Sequence, residues 1–244
     1  MHTLTHNILV KVCLLVALIQ LPVQVWCKVY LVSVGISDYP GKYNDLQLPH
    51  NDAATIQWLY QENKNAETVL LMNGKATVSK VKAAMQRLFA KASANDIIVM
   101  FFSGHGLQGR FVCYDGFLSY SDIRTLMSSC KSKNKMVFAD TCFSGSFRTN
   151  GKQNDEGWKG SNIMLFLSCR TNEKSIERPG MTNGFFTYAL QHGLRGGADA
   201  NRDRTITAKE LFTYVSAKVK KMSGNRQHPV MWGKFPNNMP VMKW

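Results

Sequence analysis

Six consecutive residues, Ile97-Ile-Val-Met-Phe-Phe102, carry no polar side chain. Successive strand residues point to opposite faces of a sheet, so a strand of this kind needs cover on both sides. Apolar runs of the same character recur at Val29–Ile36, Val69–Met72, Met136–Ala139 and Ile163–Ser168. Between them the apolar period changes to that of a helix. Asn51–Asn63 carries Ile56, Leu59 and Tyr60 on one stripe, and a helix capped by Thr77 carries Val78, Val81, Met85, Leu88 and Phe89. Tyr120–Ser128, Asn183–Gly193 and Thr207–Met222 read as further helices, and Asp115–Gly116 as a hairpin turn between Phe111–Tyr114 and Phe117–Leu118. Strands alternating with helices predict an α/β fold, a three-layer sandwich with a mostly parallel central sheet flanked by helices.

The start of the chain reads differently. Val12–Leu21 is apolar except for Gln20, follows a weakly basic opening (His2, His6, Lys11) and precedes Pro22. It is shorter than the ~20 apolar residues of a spanning helix, so residues 1–27 are expected to be a signal peptide, with an uncleaved anchor as the alternative. Residues 28–244 then form one domain that is exported and has no stable membrane span once the leader is removed. The whole chain carries +14, of which the leader contributes Lys11 alone. The basic residues are dispersed, and the short runs Lys131/Lys133/Lys135 and Lys218/Lys220/Lys221 lack interleaved aromatics, which argues against nucleic acid as a partner. Six cysteines fall without the paired spacing of a zinc site or of a dense disulfide framework. Cys113 and Cys169 read as small core residues.

In open parallel sheets ligands sit beyond the carboxyl ends of the strands. His105, in Ser103-Gly-His-Gly106, lies just past one apolar run. Cys142, in Asp140-Thr-Cys-Phe-Ser-Gly145, lies just past another, 37 residues on. If those strands are neighbours, an imidazole and a thiol emerge on one edge. Alone, each residue is more simply a turn histidine or a buried cysteine; together, at glycine-bracketed strand ends, they suit nucleophilic catalysis. The imidazole would take the thiol proton and return it to a leaving amine, and the amides of Gly106 and Cys142 would hold the oxyanion.

These two boxes resemble the histidine and cysteine segments of caspase-like cysteine peptidases, nearest to metacaspases and their bacterial relatives. Leu48-Pro-His-Asn-Asp-Ala53 and Gly184-Phe-Phe-Thr-Tyr-Ala-Leu190 are similar to two further family segments, and the likeness spans roughly Val29 to Val215. The resemblance implies a caspase-like sandwich with His105 and Cys142 as catalytic dyad. Caspases place a glutamine two residues before the nucleophile; here that position is Asp140. By the same likeness Asp52 and Ser103 line the same pocket, so the expected substrates are peptides or proteins with arginine or lysine at the cleaved bond. The plainer alternative is that Asp52 caps its own helix and Asp140 bonds local amides. Thr149 stands where calcium-dependent metacaspases carry an acid, only Asp115 and Asp122 lie between the boxes, and Phe143 replaces a histidine, so that calcium site is not expected. The polar stretch 148–162, with Arg148, Lys152 and Lys159, is where the family separates its two segments by processing, and self-cleavage there is expected.

Asp199-Ala-Asn-Arg-Asp-Arg-Thr-Ile-Thr-Ala-Lys-Glu210 matches a twelve-residue calcium loop at positions one, three, five and twelve, but position six is Arg204 rather than glycine. The expectation is no cofactor, with this loop as the one place where calcium would bind. Two other functions compete with the peptidase: a catalytically silent scaffold that binds basic peptides, and a calcium-responsive binding module.

Overall fold

The computed structural model describes residues 27–243 apart from 64, 108, 142–161, 171–172, 174 and 177–179. The expected signal peptide therefore lies outside the described residues. A six-stranded sheet forms the middle layer. It contains β1 (Val29–Gly35), β2 (Ala66–Met72), β3 (Ile97–Ser103), β7 (Asn134–Asp140), β8 (Ile163–Leu167) and β10 (Val230–Trp232), in the order β10-β8-β7-β3-β1-β2. All neighbours are parallel except β10 against β8.

Strand alternation divides the core into two layers. Ile98, Met100 and Phe102 of β3 join a cluster with Val81, Met85, Leu88 and Phe89 of α2 (Val78–Phe89) and Ile123 and Met127 of α3 (Tyr120–Ser128). Ile97, Val99 and Phe101 join the opposite cluster with Ile56, Leu59 and Tyr60 of α1 (Pro49–Glu62), Phe186, Ala189 and Leu190 of α4 (Phe185–His192) and Leu211, Val215 and Val219 of α5 (Ala208–Met222). Every β3 residue is buried, which is why the run carries no polar side chain until Ser103. Among the described residues no helix is long and apolar enough to cross a membrane.

Several boundaries differ from the sequence reading. The first helix opens at Pro49, whose fixed φ suits the first helical position. In the hairpin of β5 (Arg110–Cys113) and β6 (Gly116–Ser119), Cys113 pairs with Gly116, so the turn is Tyr114–Asp115, one residue earlier than expected. Tyr114 N–H donates to the Ala76 carbonyl at 3.0 Å, and the Asp115 carboxylate accepts Val78 N–H at 2.7 Å at the start of α2. Those bonds set the register. The fourth helix begins at Phe185 because Asn183 and Gly184 direct their N–H groups at Asp52. Two short strands, β9 (Thr205–Thr207) and β11 (Pro240–Lys243), pair with each other and have too few residues to show a period.

Gly35 ends β1 where α1 crosses it. A Cβ there would lie 2.2 Å from the Pro49 carbonyl oxygen and 2.6 Å from the Ala53 Cβ. This close approach seats the first turn of α1, and with it Asp52, on the sheet edge. Gly35→Ala is expected to cost about 1–3 kcal/mol or more, read as a lower urea midpoint with an unchanged m-value.

Candidate active site

β3 and β7 are adjacent in the sheet, and Ser103 at the end of one is in register with Asp140 at the end of the other. Gly104 N–H reaches the Asp140 carbonyl at 3.4 Å. The strands that carry the two boxes are thus neighbours, the condition on which the sequence reading placed an imidazole and a thiol at one edge. Cys142, together with its amide, lies outside the described residues. Thr141, covalently bonded to it, is buried and held by Ser168, whose hydroxyl accepts Thr141 N–H at 3.2 Å and donates to its carbonyl at 3.1 Å.

His105 is held from three sides. Its Nε2 lies 2.7 Å from the Asn44 carbonyl, an acceptor only, so Nε2 carries the proton and Nδ1 is the basic nitrogen of the neutral ring. The Tyr39 ring packs against the imidazole with centroids 4.8 Å apart. The Tyr39 hydroxyl accepts His105 N–H at 2.9 Å and donates to the Val112 carbonyl at 3.0 Å. Burial pushes the ionisation of that hydroxyl well above the ordinary tyrosine range, so it remains a donor.

Gly106 begins β4 (Gly106–Leu107), which pairs antiparallel with β5, Gly106 opposite Phe111. Val112 N–H donates to the His105 carbonyl at 3.0 Å, which makes the preceding pair a hydrogen-bonding rung. Rungs alternate in an antiparallel ladder, so the Gly106 N–H turns away from β5. An amide so directed is suited to an oxyanion.

Beside His105 a cavity of about 240 Å³ is lined by Asp52, Ser103, Asp140, Thr141, Ser175 and Gly184, among others. Asp52 does not cap its own helix. One oxygen accepts the Ser103 hydroxyl at 2.9 Å, and the other accepts the Asn183 amide at 2.9 Å and Gly184 N–H at 3.1 Å. Asp140 accepts the Ser175 hydroxyl on one oxygen, and Thr187 N–H (3.0 Å) and hydroxyl (2.7 Å) on the other. Gly184 stands between the two groups; a Cβ there would lie 2.8 Å from one Asp140 oxygen and 3.5 Å from one of Asp52. Both carboxylates are buried, and among the described residues neither has a cation within ion-pair distance. Burial, then the proximity of Asp140, holds the Asp52 carboxyl well above the usual carboxylate range, and burial raises Asp140 as well. The amides at the start of α4, with the hydroxyls and Asn183, partly offset that cost.

A caspase-domain family model matches residues 29–238. The chain belongs to the caspase family. Its caspase domain superposes on protein GSU0716 from Geobacter sulfurreducens with a TM-score of 0.68, at 17% identity over 88% of this chain and 97% of that one. Caspase-1 from Spodoptera frugiperda gives a TM-score of 0.66 at 13% identity, over 89% of this chain and 90% of the other. Such identities speak to the fold, which is the expected sandwich with a mostly parallel sheet. No curated protein sequence matches the chain. Family and fold support a cysteine peptidase domain acting on peptides or proteins.

The caspase domain also recruits residues that carry no signal in the sequence. Tyr39, Asn44, Ser175, Asn183 and Thr187 are single polar residues in loops or at a helix start, and they bond partners 35 to 131 positions away. Only the Gly184–Leu190 likeness hinted at any of them. In the Asp199–Glu210 loop, Asp199 accepts the amides of Asp203 and Arg204, and Glu210 forms a capping box with Thr207. Arg204 adopts a positive φ of 63°, the turn conformation that a glycine would take without strain. Between the boxes, Asp115 accepts Val78 N–H and Asp122 pairs with Lys82 at 3.0 Å. Among the described residues no three His, Cys, Asp or Glu side chains gather as they would around a metal ion.

The carboxylate pair has a consequence for stability. A raised folded-state value means that the native protein binds more protons than the unfolded chain above the ordinary aspartate value of about 3.9. Stability is therefore lost as pH rises from there through the raised values. In Asp52→Asn, where the amide can still accept from Asn183 and Gly184 and can donate to the Ser103 hydroxyl, that fall is expected to flatten. Urea titrations across this pH range measure both slopes; parallel slopes would contradict the carboxylate coupling.

Proposed function

We propose that this chain is a cysteine endopeptidase that hydrolyses peptide bonds after arginine or lysine. The observation that carries the reading is the pair of buried, hydroxyl-lined carboxylates, Asp52 and Asp140, in the cavity beside His105. Among the described residues each accepts three hydrogen bonds, of the about four acceptor sites a carboxylate offers. An incoming guanidinium or ammonium would favour the ionised form of the pair and bond to it, whereas an acidic side chain would oppose that ionisation.

In this mechanism Nδ1 of His105 takes the proton from the Cys142 thiol, and the thiolate attacks the carbonyl carbon of the scissile bond. The negative charge moves to the carbonyl oxygen, which the Gly106 and Cys142 amides stabilise. The imidazolium then gives its proton to the departing amine as the C–N bond breaks and a thioester remains. Water, deprotonated by the same nitrogen, attacks the thioester and the thiolate leaves. No step uses a metal or cofactor. By the same specificity the enzyme would process itself after Arg148, Lys152 or Lys159, all outside the described residues, and would act beyond the cytoplasm once residues 1–27 are removed.

Tetrapeptide reporters ending in arginine, lysine or aspartate test the reading. Cleavage is expected after arginine or lysine, unaffected by a chelator and lost in Cys142→Ala, which should also remain a single uncut chain. Turnover that survives in Cys142→Ala contradicts the mechanism, and faster cleavage after aspartate contradicts the pocket.

A further inference from the structure

The Tyr39 hydroxyl occupies an unusual place in the hairpin beside the site. His105 and Val112 form a rung of which only one half is the ordinary ladder bond, Val112 N–H to the His105 carbonyl at 3.0 Å. In an antiparallel pair the other half would run from His105 N–H to the Val112 carbonyl. Here the tyrosine hydroxyl stands between them, accepting the one at 2.9 Å and donating to the other at 3.0 Å. That half of the rung is opened by one oxygen atom, which stands between the His105 N–H and the Val112 carbonyl.

Three further observations tie this arrangement to the imidazole. The Tyr39 ring packs on the His105 ring, with centroids 4.8 Å apart and planes inclined by 45°. Gly104, immediately before the histidine, has φ +153°, and a Cβ on it would lie 2.5 Å from the Tyr39 hydroxyl oxygen, so the glycine makes room for that atom. Tyr39 is itself fixed: it is buried, and its N–H donates to the Asp45 carboxylate at 3.1 Å, beside the Asn44 carbonyl that holds Nε2. One short segment, 39–45, therefore holds the ring by its face and its Nε2, and the backbone through the hydroxyl.

We propose that Tyr39 is a positioning residue for His105, its hydroxyl setting the distance of the imidazole from β5 and hence its approach to the Cys142 thiol. The inference rests on the His105–Cys142 reading. A small displacement of a catalytic group costs rate without altering substrate binding, which predicts a fall in kcat at nearly constant KM.

Tyr39→Phe keeps the ring and removes only the bridging oxygen. For the arginine reporter its kcat is expected to fall roughly ten- to hundred-fold, with KM changed by less than about two-fold. A second reading does not depend on turnover: the pH dependence of iodoacetamide alkylation, followed on the Cys142 peptide of the full chain by mass spectrometry. An imidazole partner lowers a thiol's titration midpoint, so Tyr39→Phe is expected to raise it toward the ordinary cysteine value of about 8.5. In a His105→Ala background Tyr39→Phe should leave the midpoint unmoved. A midpoint unchanged by Tyr39→Phe alone, or shifted equally in both backgrounds, overturns the proposal. If wild type turns over no reporter but the midpoints behave as described, the peptidase reading fails and the positioning role stands.

Discussion

Two carboxylates buried beside one another are expensive to fold, and most of the edge around them is arranged to make them tolerable. Asp52 and Asp140 come from the first turn of one helix and the last residue of one strand. They meet across Gly184, where a side chain would not fit, and at the start of α4, whose amides point at both. Ser103, Ser175, Asn183 and Thr187 supply the other donors. A structural pair of this kind is more simply replaced by apolar residues of similar volume, which often costs no stability. The presence of both acids, with the raised protonation that burial imposes, is what the proposed cation-binding pocket would need.

The proposed catalytic half of the site depends on the same edge but on different physics. Parallel pairing of β3 and β7 puts Ser103 level with Asp140, and the chain then turns out of the sheet at both places. His105 is directed by the segment after β1 through one carbonyl, one hydroxyl and one ring face. That segment is anchored in turn by Leu46 N–H to the Ser37 carbonyl at 2.8 Å and by Ser37 N–H to Asn73 at 2.9 Å. Leu46 also lines the cavity. Pocket and base therefore share a wall.

How much of this was legible beforehand follows from what leaves a pattern. A strand buried on both faces must be apolar throughout, so β3 announced itself, and the alternation around it gave the layers and the parallel sheet. A parallel sheet brings the two boxes together only if β3 and β7 are neighbours, which no pattern in the sequence decides and the strand order shows, and the Asp52–Asp140–Ser103 grouping came from family likeness. Tyr39 and Asn44 were not legible because an isolated loop tyrosine or a backbone carbonyl has no period and no motif. The hairpin register was misread by one residue because Asp115-Gly116 looks like the better turn in isolation, whereas the bonds from Tyr114 and Asp115 to the start of α2 exist only in the folded chain.

In the proposed function a positive charge, rather than length or shape, is what the carboxylate pair selects. Citrulline keeps the outline of arginine and loses the charge, so paired reporters ending in arginine and in citrulline isolate that contribution. The kcat/KM for arginine is expected to be at least about a hundred-fold higher, consistent with charge-assisted bonds to buried groups. Comparable rates for the two reporters would contradict that selection.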